Sequence, residues 1–414
     1  MSAPGTDTAY LERVTINGIA IVTLDHFPVN SLSTHLTNGL TRAILAIEDG
    51  AKKGEIKGVV LRGSGRCFCA GADISAFGTA NKVTRATLGR ESSDNFGFEE
   101  LNIPVVAAIH GFALGGGFEL SLGCHYRVID SQAKVGLPEV NIGLLPGAQG
   151  TQRLPRLIGS ENALALILSG DHVNAADALK MGVVDHVVPV GKDLIQTAVK
   201  FCLGKVGEKK LKRISQIPCP ATTDFDKWTK QMNRKRAGEP APHAIIRCIQ
   251  GACKGPTFAD GVMVETANFI PLITSPESKA LRHVFFAERN GAKVDGLKAK
   301  AKPIRTVGIV GAGLMGGGIA MCCANVGIKV YVLDINEKNL ERGMALIDAN
   351  YKRSRSMNSE QKAKARALLI PTTSYADFKD CDLVVEGKRS SRVDLYIYRC
   401  CNLLVFFYHF LFFY

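Results

Sequence analysis

The chain has 414 residues, of which 46% are hydrophobic and 21% charged, with 42 glycines. That length exceeds one small module and suits two or three domains of about 100–200 residues each; the composition excludes wholesale disorder and a collagen-like repeat. Net charge is +13, from 51 basic against 38 acidic residues, which points to an anionic partner without naming its class.

The opening Met1-Ser2-Ala3-Pro4-Gly5-Thr6-Asp7 has neither the basic start and apolar run of a secretory signal nor an Arg-rich transit pattern, so synthesis on free ribosomes is expected. From residue 14 to about residue 190, short β-branched runs alternate with helical patterns. Residues 19–24, 57–61 and 105–109 predict buried strands, and residues 37–48 predict an amphipathic helix between the first two. This order indicates an α/β domain of repeated ββα-like or βαβ units, with its core at residues 1–195. No repeat of about 20–50 residues is evident at the level of sequence.

Residues 196–287 read as a helix-rich, polar extension. Between Lys205 and Arg236 it holds ten Lys or Arg residues against Glu208, Asp224 and Asp226. A low-complexity Gly-Leu-Lys-Ala-Lys-Ala-Lys-Pro stretch follows, and residues 288–303 read as a linker. A second domain then begins, with strands predicted at 306–310, 329–333 and 382–386.

Gly311-Ala312-Gly313-Leu314-Met315-Gly316 is a GxGxxG that directly follows the first of these strands and opens a helix. Gly311 permits the tight turn, Gly313 lets the backbone approach a pyrophosphate, and Gly316 lets helix and strand pack closely. Asp334 ends the second strand, where its carboxylate can bind the adenosine ribose hydroxyls and disfavour a 2′-phosphate, so NAD is preferred over NADP. A complete doubly wound nucleotide domain needs about twice the length that remains after Arg305, so the expected NAD site is partial. After Glu386 the pattern dissolves. Nine of the 29 aromatic residues crowd into the last twenty positions, and 387–414 reads as an aberrant hydrophobic tail. Its uncharged stretch from 400 to 414 is shorter than the ~20 residues a membrane span needs, so no span is expected. The twelve cysteines are scattered, with no CxxC pair and no zinc-like Cys/His spacing, which predicts reduced structural thiols and no metal site.

The first domain carries the chemistry. Phe68-Cys69-Ala70-Gly71-Ala72-Asp73-Ile74 follows a strand end, and His110-Gly111-Phe112-Ala113-Leu114-Gly115-Gly116-Gly117-Phe118-Glu119-Leu120 runs from strand through triple glycine into helix. Such a turn presents backbone N–H groups at a positive helix terminus, suited to a developing oxyanion. A second carboxylate stands twenty residues on, in Gly136-Leu137-Pro138-Glu139-Val140, followed by Gly143-Leu144-Leu145-Pro146-Gly147-Ala148-Gln149-Gly150. Two carboxylates in apolar, glycine-lined segments are costly to bury and are often catalytic. His110 and His125 flank the turn and read as packed residues.

Through FCAGADI, HGFALGGGFEL, GLPEV and GLLPGAQGTQRLPRLIG, residues 10–285 resemble the crotonase (enoyl-CoA hydratase/isomerase) family. Residues 304–386 resemble the opening of the 3-hydroxyacyl-CoA dehydrogenase NAD domain, and the two in this order resemble the family of peroxisomal bifunctional enzymes of fatty-acid β-oxidation. The resemblance implies an α/β fold: a crotonase-like ββα spiral followed by an incomplete Rossmann-type domain. It implies an acyl-CoA thioester substrate, with coenzyme A phosphates as a target for the positive charge, NAD as cofactor, and no nucleic-acid partner; it leaves the oligomeric state open. Ala72 and Gly116 become the backbone N–H donors to the thioester oxygen, and Glu119 and Glu139 the acid/base pair for adding water to a trans-2-enoyl-CoA. Isomerisation is expected as a side activity with Glu139 as proton shuttle, and a catalytically silent CoA- or NAD-binding product is the alternative. In the family the dehydrogenase half continues to a catalytic His/Glu pair, a helical domain and usually a Ser-Lys-Leu-type peroxisomal address. None follows Glu386 here, so the expectation is a truncated or intron-retaining product that has lost dehydrogenase activity, peroxisomal by resemblance or cytosolic for want of that address.

Overall fold

The computed structural model describes residues 8–74, 97–220, 222–291, 302–354 and 356–386, together with the backbone of 405–406. Contacts divide the chain into two units between Val294 and Asp295.

The first unit runs β1 (Thr8–Val14), β2 (Ile19–Asp25), α1 (Thr34–Lys52), β3 (Gly58–Gly63), β4 (Val105–Ile109), β5 (Phe112–Leu114), α2 (Gly116–Leu122), β6 (Tyr126–Asp130) and β7 (Lys134–Gly136). It continues through α3 (Gly150–Ile158), α4 (Ser160–Ser169), β8 (Val173–Asn174), α5 (Ala175–Lys180), β9 (His186–Val188) and α6 (Leu194–Leu203). Four helices close it: α7 (Phe225–Lys235), α8 (Pro240–Lys254), α9 (Phe258–Thr274) and α10 (Pro276–Asn290).

A six-stranded sheet has the order β1-β2-β3-β4-β6-β9, parallel except for the antiparallel β1/β2 edge. A smaller sheet has the order β5-β7-β8, and isolated bridges Leu32–Ala72 and Cys69–Ala113 continue its pairing. Each pass of the chain therefore places one strand in the large sheet and an extended segment in the small one. β2 is followed by Leu32, β3 by Cys69 and Ala72, β4 by β5, and β6 by β7. This is the ββα spiral that the resemblance implied.

The large sheet is covered on both faces, which explains why its strands read as unbroken apolar runs rather than alternating ones. Val59 and Leu61 point into the main core, where Leu40, Ile44 and Ile47 of α1 also lie. Ile19, Val60, Val106 and Val128 point the other way, into a second cluster with Ala198 and Cys202 of α6. Helix α1 begins where Ser33 Oγ accepts the Leu36 N–H at 3.3 Å, and buries Leu36, Leu40, Ala43, Ile44 and Ile47 at helical spacing. Truncating a buried leucine such as Leu40 to alanine costs about 2–5 kcal/mol.

Several members of the basic cluster hold the fold together. Arg213 donates to the Glu99 and Leu101 carbonyls, Lys212 pairs with Asp185 at 2.8 Å, and Arg236 donates to the Val140 carbonyl and Asn141 Oδ1. Lys209, Lys210, Lys227, Lys230, Arg234 and Lys235 remain exposed.

The second unit runs β10 (Thr306–Val310), α11 (Leu314–Asn325), β11 (Lys329–Leu333), α12 (Glu337–Arg353), α13 (Ser359–Ala367), β12 (Leu369–Thr372), β13 (Leu383–Glu386) and β14 (Val405–Phe406). All pairings are parallel, in the order β12-β11-β10-β13-β14. With β10 as the first strand this is the 3-2-1-4-5 order of a doubly wound sheet. β14 was not expected: the sequence carries no strand signal after Glu386, yet the backbone of Val405 and Phe406 pairs with Val384 and Val385. The rest of 387–414 lies outside the described residues. So does most of the expected linker, whose first residues, 288–290, end α10.

Among the described residues no helix is long and apolar enough to cross a membrane, no His/Cys/Asp/Glu group is placed to hold a metal ion, and ten cysteines are free thiols.

Candidate active site

The site is built around the turn from β5 into α2. Gly115, with φ +52 and ψ −130, adopts a backbone that side chains rarely tolerate, and a Cβ there would stand 3.0 Å from Glu139 Oε1. The bend starts α2 at Gly116 and places Glu119 inward, 2% exposed, one turn along. At the other end of α2, buried Arg127 donates to the Ser121 and Cys124 carbonyls and pairs with Asp185, fixing the helix from below.

Glu119 Oε1 accepts the N–H groups of Ala148 at 2.8 Å and Gly150 at 2.7 Å. Burial pushes its carboxyl up to about 7, while these two bonds and the nearby Arg153 pull the other way. Glu139 opens the 3-10 turn Glu139–Ile142, and its Oε2 is buried without a hydrogen-bond partner among the described residues. Burial first, and the charges of Glu119 and Glu265 after it, hold Glu139 well above the usual carboxylate range. Both carboxyls are shifted toward the neutral form, but unequally: the two N–H donors and Arg153 partly offset burial at Glu119, whereas the charges of Glu119 and Glu265 add to it at Glu139.

Ala72 and Gly116 meet beside this pair. A Cβ on Gly116 would lie 3.5 Å from the Ala72 nitrogen and 3.9 Å from Glu119 Oε2; one on Gly71 would lie 3.3 Å from the Gly116 nitrogen. Among the described residues neither the Ala72 nor the Gly116 N–H has an acceptor. All four residues expected from the sequence are therefore brought together.

Sequence reasoning missed a third carboxylate. Glu265, on α9 and 1% exposed, accepts the Gln149 N–H at 2.7 Å on one oxygen and the Thr151 N–H and hydroxyl on the other. Burial and the Glu119 charge push it up to about 8. A signal was available: Gly261, Glu265, Phe269 and Leu272 form the buried stripe of α9, so an acidic residue interrupts an otherwise apolar face. The two flanking histidines are structural. His125 is fully buried, accepts the Val105 N–H at 3.1 Å, and is lowered by burial to about 4; His110 faces the Gly65 carbonyl at 3.0 Å.

Residues 15–231 match the family model described as enoyl-CoA hydratase/isomerase. The chain belongs to the enoyl-CoA hydratase/isomerase family. Among curated relatives, the peroxisomal bifunctional enzyme of Cavia porcellus is 38% identical over 90% of this chain and 52% of its own length. The fatty acid oxidation complex subunit alpha of Shewanella amazonensis is 41% identical over 90% of this chain and 55% of its own. The chain thus spans about half the length of the curated relatives it matches. Among solved structures, an enoyl-CoA hydratase from Bacillus anthracis is 29% identical, covering 66% of this chain and 93% of that one, with a TM-score of 0.42.

In this enoyl-CoA hydratase/isomerase relative the second unit, over residues 306–389, matches the model described as 3-hydroxyacyl-CoA dehydrogenase, NAD binding domain. Its glycine loop fits a dinucleotide. A Cβ on Gly316 would fall 1.8 Å from the Gly311 carbonyl oxygen, so only glycine lets α11 come this close to the loop. Gly313 has nothing within 4 Å of its would-be Cβ, leaving the backbone open to a pyrophosphate at the start of α11. Arg342 of α12 lines the same open cleft of about 510 Å³ with Ala312, Gly313 and Leu314. Asp334 stands at the end of β11, its Oδ2 accepting the Ala312 N–H at 2.8 Å and so tying strand end to loop.

Proposed function

We propose that the first unit adds water across the double bond of trans-2-enoyl-CoA thioesters. The observation that carries this reading is a pair of buried carboxyls shifted to unequal extents, flanked by two N–H groups that have no acceptor among the described residues. Glu119, held by Ala148 and Gly150, takes a proton from the water whose oxygen bonds to the β-carbon. The alkene electrons move toward the thioester oxygen, where the Ala72 and Gly116 N–H groups meet the growing charge. Glu139 supplies the proton to the α-carbon, and the thioester is left intact. Each acid/base group contributes ~10²–10⁴ in rate and each oxyanion donor ~10²–10³.

Isomerisation of a 3-enoyl to a 2-enoyl thioester is a side activity of the same site: Glu139 in its ionised form takes the α-proton and returns it to the γ-carbon while the two donors hold the dienolate oxygen. The exposed lysines and arginines of the 205–236 cluster offer charge to the coenzyme A phosphates. In the second unit, NAD supplies hydride chemistry when bound; Gly311, Gly313 and Gly316 hold its pyrophosphate and Asp334 its adenosine ribose. The described residues of that unit include no histidine to serve as a base. That a protein of these 414 residues oxidises no 3-hydroxyacyl-CoA is part of the proposal, and NADH formation from such a substrate would refute it. Location in a peroxisome rests on the name of the Cavia porcellus relative, and the Shewanella relatives point to no such compartment. Purified protein is tested by loss of the enoyl-thioester absorbance of crotonyl-CoA; a silent CoA-binding product would leave it unchanged.

A further inference from the structure

Four consecutive N–H groups divide between two carboxylates. Those of Ala148 and Gly150 donate to Glu119, while those of Gln149 and Thr151 donate to Glu265. The turn is clamped from both sides at the start of α3, where N–H groups have no partner within the helix. Gln149 completes it with a φ of +74, an uncommon value for a side chain larger than glycine. Its side-chain oxygen accepts Arg153 Nε and Nη2, and Arg153 in turn pairs with Glu99 at 2.6 Å. This strained, buried turn supplies two N–H donors to Glu119 Oε1, and Glu265 anchors the turn from a helix more than a hundred residues downstream.

We propose that Glu265 is a positioning residue of the acid/base site: by holding the Gln149 and Thr151 N–H groups it aims those of Ala148 and Gly150 at Glu119, leaving Glu119 Oε2 directed toward Gly116. The inference rests on the reading of Glu119 as the water-activating base. Replacing Glu265 with glutamine keeps shape and one acceptor but turns an amide N–H against a backbone N–H, so the clamp opens on one side. A displacement of about 1 Å at a catalytic group costs about 100-fold in rate while substrate binding, made elsewhere, persists. Glu265 faces the carboxyls of Glu119 and Glu139 and the Cys248 thiol of α8, so its replacement also alters the electrostatics of the pair.

The test compares full-length native protein with Glu265→Gln, Thr151→Val and Glu119→Gln in crotonyl-CoA hydration. Glu265→Gln is expected to lower kcat by about 10- to 100-fold with KM within about twofold of native, and to shift the pH profile. Thr151→Val, which removes one bond to Glu265 and keeps side-chain shape, lowers kcat less and also leaves KM in place. Native kcat in Glu265→Gln, or a raised KM with kcat unchanged, overturns the proposal. Should Glu265→Gln fail to fold, native kcat in Thr151→Val overturns it. Full activity in Glu119→Gln would instead remove the underlying reading, so the two failures are told apart.

Discussion

Glu119 Oε1 accepts the Gly150 N–H at 2.7 Å, and a Cβ added to Gly150 would meet that same oxygen at 2.7 Å. The donor that favours the anion thus also leaves no room beside it for a side chain. Gly150→Ala is expected to push Glu119 away, since Pro146 Cβ, also at 2.7 Å, blocks the alternative. Overpacking of this kind costs about 1–3 kcal/mol of stability, and the displaced carboxylate about 100-fold in kcat. Steady-state kinetics beside a thermal melt check both; native kcat in a folded variant would show that Glu119 is not held by this turn.

The unequal shifts of Glu119 and Glu139 predict a bell-shaped pH dependence of kcat/KM for hydration. The base must be ionised, so activity rises as pH passes Glu119, near 7. The acid must be protonated, so activity falls again when Glu139, held higher by burial and by its neighbours' charges, loses its proton. Glu139→Gln should lower the rate by ~10²–10⁴ and abolish the falling limb. A rising limb at the ordinary carboxylate range, near 4.5, would contradict the assignment.

Stability follows the same groups with a definite sign. Glu119 and Glu265 are raised to about 7 and about 8 from 4.5, so the folded chain keeps protons that the unfolded chain releases. Their contribution is fully present below 4.5 and is lost as pH rises through 7 to 8. Relative to native protein, Glu119→Gln should therefore gain in melting temperature as pH is raised from about 5 to about 9. A difference that stays flat or moves the other way would mean that these acids are not buried as neutral groups.

In the second unit, Gly316→Ala places a methyl 1.8 Å from the Gly311 carbonyl oxygen. The loop or α11 must move, and NAD affinity measured by calorimetry should fall by more than tenfold. Crotonyl-CoA hydration, built from the first unit, should not change. Undiminished NAD binding would place the dinucleotide somewhere other than this loop.

What could be read in advance follows from range along the chain. The strands at 19–24 and 105–109 and the helix around 37–48 announce themselves through local apolar patterning, and the GxGxxG with Asp334 lies within one strand-helix-strand unit. Glu119 and Glu139 stand out as carboxylates in short glycine-rich segments, whereas Ala72 and Gly116 are pointed to only by the family resemblance those segments carry. For Glu265 only its place on an otherwise apolar helix face could be read; its role could not, since its partners Gln149 and Thr151 lie far upstream and only tertiary folding of α9 over the turn joins them. The spiral comes from the family resemblance and not from periodicity: its small-sheet segments at Leu32, Cys69 and Ala72 are single bridges, too short to leave a period. The basic cluster misleads in a different way. Charge counting cannot show that Arg213 and Arg236 spend their guanidinium groups on backbone carbonyls.

The central claim is that Glu119 activates water for addition to an enoyl thioester. Hydration of crotonyl-CoA, followed as loss of the enoyl-thioester absorbance, tests it most directly when native protein and Glu119→Gln are compared at equal folded concentration. Native protein should turn over, and the variant should lose about 100-fold or more of that rate. Equal rates in the two proteins would contradict the assignment.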